Sequence, residues 1–304
     1  MKRDFLKLTD LTKDEITALL RRAIDLKEGK DANLCPLIGR NIGLFFEKPS
    51  TRTRVSFEAG IYQLGGNAIC MTPAELQLNR GETIADTART LSRYLHAIMM
   101  RTFSHETLEA FAMNSSIPVI NGLSDLRHPC QALADAMTLL EKKGTFEGLK
   151  LAYVGDGNNV CNSLIEAAAV LGFNLTIACP EGFEPHSAIL EEARAISKGE
   201  IIVLRDPREA TGMADAIYTD VWVSMGQEKD AEDKKKRLKD YQINAKLLSC
   251  AKKDVVVLHC LPAHRGEEIT DDVMDGPHSV VFDQAENRLH TQKALLEMLL
   301  SDRQ

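Results

Sequence analysis

Residues 41–64 read NIGLFFEKPSTRTRVSFEAGIYQL, and the reading of this stretch decides the fold. Positions 41–46 form a short, largely apolar run of the kind that makes a buried strand. Pro49 ends the run, and Ser50 or Thr51 supplies a helix cap, because a hydroxyl there accepts a hydrogen bond from a free N–H of the first turn. From 52 to 64 the spacing predicts a helix, with Phe57, Ile61 and Leu64 on one face and Gly65-Gly66 as its stop.

The same rhythm recurs outward along the chain. Apolar runs stand at 97–100 and 117–120, followed by a helix from about Pro129 to Glu141. After the break Lys142-Lys143-Gly144 a second series begins: 149–154, 175–178, 201–204, 216–219, 255–259 and 280–282, with helical segments between most of them. Strands alternating with helices predict an α/β protein with parallel sheets covered on both faces. At roughly 150 residues per domain, a chain of 304 residues predicts two domains. They are expected at 1–145 and 146–285, with the Leu-rich helix 286–300 and the tail to 304 packing back on the first.

Lys and Arg number 37 and Asp and Glu 44, a net charge of −7. That balance argues against nucleic-acid or membrane-surface binding, which needs basic patches, but leaves room for a small anion held by a few arginines. Seven cysteines, an odd number with no Cys-x-x-Cys pair, favour reduced thiols and a cytoplasmic setting. No stretch approaches the roughly 18 apolar residues of a membrane span, and the start MKRDFLKLTD lacks a signal-peptide core. The charge run at 228–240 reads as a solvated helix face or loop, with a substrate-responsive lid as the alternative.

In parallel α/β sheets ligands sit beyond the carboxyl ends of the strands. Reactive residue types cluster there: Ser50-Thr51-Arg52-Thr53-Arg54, Arg101, His128-Pro129-Cys130-Gln131, Gly155-Asp156-Gly157-Asn158-Asn159, Asp220 with Ser224-Met225-Gly226, Cys260-Leu261-Pro262, and Arg288. The first string predicts an anion site built from helix N–H groups, hydroxyls and one guanidinium. Arg52 and Arg54 lie two apart and point to different sides of a helix, so Arg52 is assigned to the anion. Gly155-x-Gly157 suggests a dinucleotide loop, but Val160 occupies the third glycine position and no acidic residue ends the next strand. A tight turn presenting the Asn158 and Asn159 amides to a ligand fits better. His259, Cys260 and His264 suggest zinc, yet lack a partner pair at suitable spacing.

Taken in order, Ser-Thr-Arg-Thr-Arg at 50–54, His-Pro-Cys-Gln at 128–131, Asp220 with Ser-Met-Gly at 224–226, and His-Cys-Leu-Pro-Ala-His-Arg-Gly at 259–266 resemble the ornithine carbamoyltransferases of the aspartate/ornithine carbamoyltransferase family, over essentially the whole chain. The resemblance implies two α/β domains with an active site in the cleft between them. The first domain would bind carbamoyl phosphate through Ser50, Thr51, Arg52, Thr53, Gln77, Arg101, His128, Gln131 and Arg288, with Cys260 and Leu261 meeting the carbamoyl group. The second would bind L-ornithine through Asn159, Asp220, Ser224 and Met225. Arg52, Arg101, His128, Asp220 and Cys260 would carry the catalysis, with no metal and no organic cofactor. The family assembles as trimers and serves arginine biosynthesis. Arg127 stands where the family more often has an aromatic, His96 where an acid is common and Val223 where Ala is common. Putrescine or acetylornithine as acceptor is the near alternative. A nicotinamide-dependent dehydrogenase and a non-catalytic binding protein are the remote ones.

Overall fold

The computed structural model describes residues 2–30, 34–76, 81–224, 226 and 231–300. Its strands are β1 (Asn41–Phe46), β2 (Asn67–Met71), β3 (Ala97–Arg101), β4 (Val119–Leu123), β5 (Lys150–Val154), β6 (Asn174–Ala178), β7 (Ile201–Leu204), β8 (Ala216–Thr219) and β9 (Val256–His259). Its helices are α1 (Lys13–Lys27), α2 (Thr51–Gln63), α3 (Ile84–Leu91), α4 (His105–Asn114), α5 (Pro129–Lys143), α6 (Asn159–Leu171), α7 (Ser187–Ile196), α8 (Pro207–Thr211), α9 (Ala231–Leu238), α10 (Ala245–Leu248), α11 (Asp271–Met274) and α12 (Val281–Leu300). Packing divides the chain into two units, Met1–Ala134 with Glu286–Gln304, and Asp135–Ala285. One division falls inside α5, ahead of the Lys142-Lys143-Gly144 break. The other falls inside α12.

The first unit holds a parallel sheet in the order β2-β1-β3-β4. The winding reverses between β1 and β3, and at such a switch point the loops leaving the two strands part and open a crevice. The register sets Phe46 beside Arg101, so both strands end at the same level there. Every residue of β3 is buried. Phe45, Ile98, Met100, Leu108, Phe111 and Val119 pack as one core cluster, each large apolar side chain contributing about 1.5–3 kcal/mol by leaving water. Within this unit Lys27 donates to Asn287 at 2.7 Å and Arg22 pairs with Glu297 at 2.7 Å, which ties α12 to α1.

The second unit is a five-stranded parallel sheet, β7-β6-β5-β8-β9, whose switch point lies between β5 and β8. Tyr153 and Tyr218 face each other across that pair with ring centroids 5.9 Å apart. Thr219 donates from Oγ1 to the Val154 carbonyl at 2.7 Å, closing the two strand ends together.

The run at 280–282 is not a strand. Val281 begins α12, and Ser279 makes only an isolated bridge to Val257. Three apolar residues are too few to show a period, and the helix that follows buries Gln284, Asn287, Arg288 and Thr291, which carry no apolar signal. The run at 117–120 is shifted: the strand is 119–123, and Ile117 packs ahead of it. Four elements of the first unit, α1, β2, α3 and α4, escape the rhythm of runs. Helix α1 opens on a capping box of Thr12 and Glu15 and buries Ile16, Leu19, Leu20, Ala23 and Leu26. Edge strand β2 alternates in exposure and has only one buried residue, Met71.

Candidate functional site: two clusters at the switch points

The first cluster stands at the β1/β3 switch point. Ser50 caps α2, its Oγ accepting from Thr53 N at 3.3 Å. Thr51 and Arg52 are exposed in that first turn, where unpaired N–H groups and the helix dipole favour an anion. Arg52 makes no hydrogen bond or ion pair to another described residue, whereas Arg54 is spent on Glu58 at 2.9 Å. Arg101, at the end of β3, and Arg288, on α12, are both buried.

Arg288 organises this cluster. One guanidinium nitrogen donates to Gln131 Oε1 at 2.7 Å and to His128 Nε2 at 3.1 Å, and another donates to Thr53 Oγ1 at 3.1 Å. Because Nε2 of His128 accepts, the ring proton is assigned to Nδ1. Burial first, then the charges of Arg288 and Arg101, hold His128 well below the usual imidazole range, so it is neutral at pH 7. Ahead of it, residues 124–127 form a tight loop: Ser124 N donates to Arg127 O at 2.8 Å, and Arg127 N donates to Ser124 Oγ at 3.2 Å. Arg127 is buried and meets His105 Nε2 at 3.3 Å. Cys130 is a buried thiol held on the Asn121 carbonyl, and burial pushes it up to about 12, so it stays protonated at neutral pH.

The second cluster stands at the β5/β8 switch point and the adjacent end of β9. Asp220 is buried and accepts from Val221 N at 2.8 Å, Cys260 Sγ at 2.8 Å and Asn158 Nδ2 at 2.7 Å. Asn159, the first residue of α6, and Ser224 are half-buried nearby in sequence. Gln77 and Met225 lie outside the described residues. Asn158 does not present its amide to a ligand, as its place beside Gly157 suggested; both of its polar atoms are used within the protein. The Gly155–Asn158 turn is no dinucleotide cradle either. Gly157 donates its N–H to Phe183 O at 2.8 Å, where a diphosphate would need it.

One further pairing escapes the sequence reading, in which His259 figured only as a zinc candidate. His259 and Glu268 are fully buried and meet through His259 Nε2 and Glu268 Oε1 at 3.1 Å. Nδ1 of the same ring accepts from Leu261 N at 2.9 Å, and His264 N donates to Glu268. The pair pins the loop 260–264, which contains a cis Leu261-Pro262 bond and Leu261 at φ +59°. A histidine at a strand end was visible in the sequence; its acidic partner nine residues later carried no signal. Asp220, His259 and Cys260 each offer a ligand atom within 4.8 Å of the others, as do His264, Glu267 and Glu268. Asp220, His259, Cys260 and Glu268 are engaged in the contacts just described, and Glu267 pairs with Lys235 at 2.7 Å.

Comparison with known proteins agrees with this two-sheet fold. Residues 3–141 match the family model for the aspartate/ornithine carbamoyltransferase carbamoyl-P binding domain, and residues 147–299 match that for the Asp/Orn binding domain. An ornithine carbamoyltransferase of Syntrophus aciditrophicus is 55% identical over 99% of this chain and 100% of its own length. One from Bacillus thuringiensis is 56% identical over 98% and 94%. The solved ornithine carbamoyltransferase of Pyrococcus furiosus superposes with a TM-score of 0.95 at 51% identity, covering 100% of this chain and 98% of that one. The anabolic enzyme of Campylobacter jejuni does so at 0.93 and 42%, covering both chains fully. Two family models that together span nearly the whole chain, and relatives and solved structures more than 40% identical over almost all of it, share this two-sheet fold, and the chain belongs to the aspartate/ornithine carbamoyltransferase family.

Proposed function

We infer that the protein transfers the carbamoyl group of carbamoyl phosphate to the side-chain amine of L-ornithine, giving L-citrulline and phosphate. The observation that carries the reading is the pairing of two chemistries: a buried guanidinium cluster for a dianion in one unit, and a buried carboxylate with a thiol for a cationic amine in the other.

Carbamoyl phosphate carries its charge on the group that leaves. Arg52, Arg101 and Arg288, with Ser50, Thr51 and Thr53 at the α2 N-terminus, hold the phosphate and stabilise it as leaving group. Neutral His128 offers its Nδ1 proton to the carbamoyl oxygen. Arg101 and Thr53 share the negative charge that grows there, and Gln131 holds the carbamoyl nitrogen. Gln77 completes the phosphate site, and Cys260 with the Leu261 backbone meets the carbamoyl group. Ornithine lies against Asn159, Asp220, Ser224 and Met225. Its side-chain amine, with a free pKa near the ~10.4 of lysine, arrives protonated and must lose that proton to attack. An anion alone would hold the proton on; burial beside the arginine cluster drives it off. Asp220 and Cys260 therefore orient the amine; its proton passes to Cys260 or to the phosphate, the nitrogen adds to the carbonyl carbon, and the carbon–oxygen bond to the phosphate breaks as phosphate leaves. A dicarboxylate acceptor would need further cations where this chain has Asp220, Ser224 and Met225.

The assignment of 1–145 with the C-terminal helix to carbamoyl phosphate, and of 146–285 to ornithine, is part of this proposal. So are a homotrimer, a cytoplasmic setting and a place in arginine biosynthesis. Seven free thiols suit a reducing compartment, and among the described residues no helix is long and apolar enough to cross a membrane. The test is citrulline formation with ornithine, putrescine, aspartate and acetylornithine compared as acceptors. Ornithine is expected to be preferred, and Arg101→Ala to slow turnover by at least ~10²-fold, the scale for losing one transition-state donor. Equal use of putrescine would move the substrate assignment, and absence of any product would end it.

A further inference from the structure

We propose that Asn158 is a positioning residue for Asp220, a role that rests on the transferase reading above and deepens it. The side chain of Asn158 is divided between two tasks. Its Oδ1 accepts from Val160 N at 3.0 Å and Cys161 N at 3.2 Å, the N-cap of α6, and also from the Tyr153 hydroxyl at 3.2 Å. Because those donors claim the oxygen, the amide orientation is settled, and Nδ2 must face the other way. It donates to Asp220 Oδ2 at 2.7 Å.

This one bond decides which way the carboxylate of Asp220 faces. Val221 N and the Cys260 thiol both fall on Oδ1, so Asn158 is the side chain that holds Oδ2. Without it the carboxylate retains a pivot at Oδ1 and loses the contact that fixes its plane. A cap at the start of α6 thereby sets the group that receives the ornithine amine. The chain brings the two together because β5 and β8 are sheet neighbours, although the residues lie 62 positions apart. The single proton of the Tyr153 hydroxyl is shared between Asn158 Oδ1 and the nearer Asp156 carbonyl at 2.7 Å.

Capping and positioning separate by mutation. Ser and Asp cap helices about as well as Asn, so Asn158→Ser and Asn158→Asp keep α6 while removing the donor to Asp220. Both are expected to melt close to wild type. Asn158→Ser is expected to lower kcat/KM for ornithine by about 10- to 100-fold, the scale of losing one hydrogen bond to a charged group, while KM for carbamoyl phosphate stays within twofold. Asn158→Asp sets a second carboxylate against Asp220, and the pair retains a proton between them. Its acid limb in kcat/KM for ornithine is expected to move to higher pH, while Asn158→Ser keeps the wild-type limb. The other ionisable groups facing this point are Asp156 with its partner Lys234 from α9, Tyr153 from β5, Tyr218 from β8, Cys161 from α6, His259 at the end of β9 and Cys260 after it. They are common to all three proteins.

Ornithine kinetics within twofold of wild type in Asn158→Ser would overturn the proposal. So would losses that fall equally on both substrates in step with a lowered melting temperature. Wild-type citrulline formation is measured first. Its absence sinks the transferase reading and this inference with it, whereas an active wild type with unaffected variants sinks the inference alone.

Discussion

His128 is held neutral by the same guanidiniums that make its surroundings attractive to an anion. Burial costs a charged imidazole its hydration, and Arg288 and Arg101 repel a second positive charge, so the ring resists protonation. His105 is pushed the same way by burial and Arg127, and His290 by burial and Lys293. In the unfolded chain each of these rings takes a proton below about pH 6.5, whereas the folded chain does not. The unfolded state then binds more protons, so stability is complete above that pH and declines as pH falls through it. Denaturant unfolding at pH 7.5 and 5.5 is expected to show this loss in the wild type and a smaller loss in His128→Asn. Equal losses in the two proteins would mean that His128 is as easily protonated folded as unfolded.

At the scale of elements, the turn after β5 shows how closely function and packing share the backbone. A methyl group added at Gly157 would meet Pro185 N at 2.3 Å and Phe183 O at 2.6 Å, both backbone atoms that no side-chain rotation can clear. Gly157→Ala is expected to cost about 1–3 kcal/mol of stability by overpacking. It also displaces Asn158 and Asn159, and so is expected to raise KM for ornithine while leaving KM for carbamoyl phosphate unchanged. Thermal melts with two-substrate kinetics check both. The same turn marks how far the sequence can be read. Strands 201–204 and 216–219 were legible to the residue, because each is a plain apolar run between turns, although 201–204 is an edge strand that buries only Ile201. Most of the candidate site was legible too, because reactive residues after such strands stand out. The first turns of α12 were not, since their buried side is polar; β2 was passed over although Ala68–Met71 is an apolar run, in an edge strand that buries only Met71. The bonds from Asn158 to Asp220 and from His259 to Glu268 depend on which strands and loops become neighbours, and no local pattern records that.

For the molecule as a whole, the first unit leaves apolar surface that its own fold does not cover. Val55 and Tyr62, seven apart on one side of α2, are 55% and 81% exposed, and Ile38 is 73% exposed. Edge strand β2 lies alongside, joined to α2 where Cys70 meets Glu58 at 2.8 Å, and carries Ile69, which is 38% exposed. An open strand edge flanked by exposed aromatic and aliphatic side chains is costly to leave in water and prone to pairing. A closed ring of copies would cover it without leaving a free end for fibre growth. The proposed homotrimer predicts a mass about three times the 33.7 kDa of one chain in light scattering after size exclusion. Tyr62→Asp places a charge in the middle of this surface and is expected to shift the population toward monomer. A wild type that runs as a monomer at micromolar concentration would reject the trimer. A trimer indifferent to Tyr62→Asp would place its interface on another face.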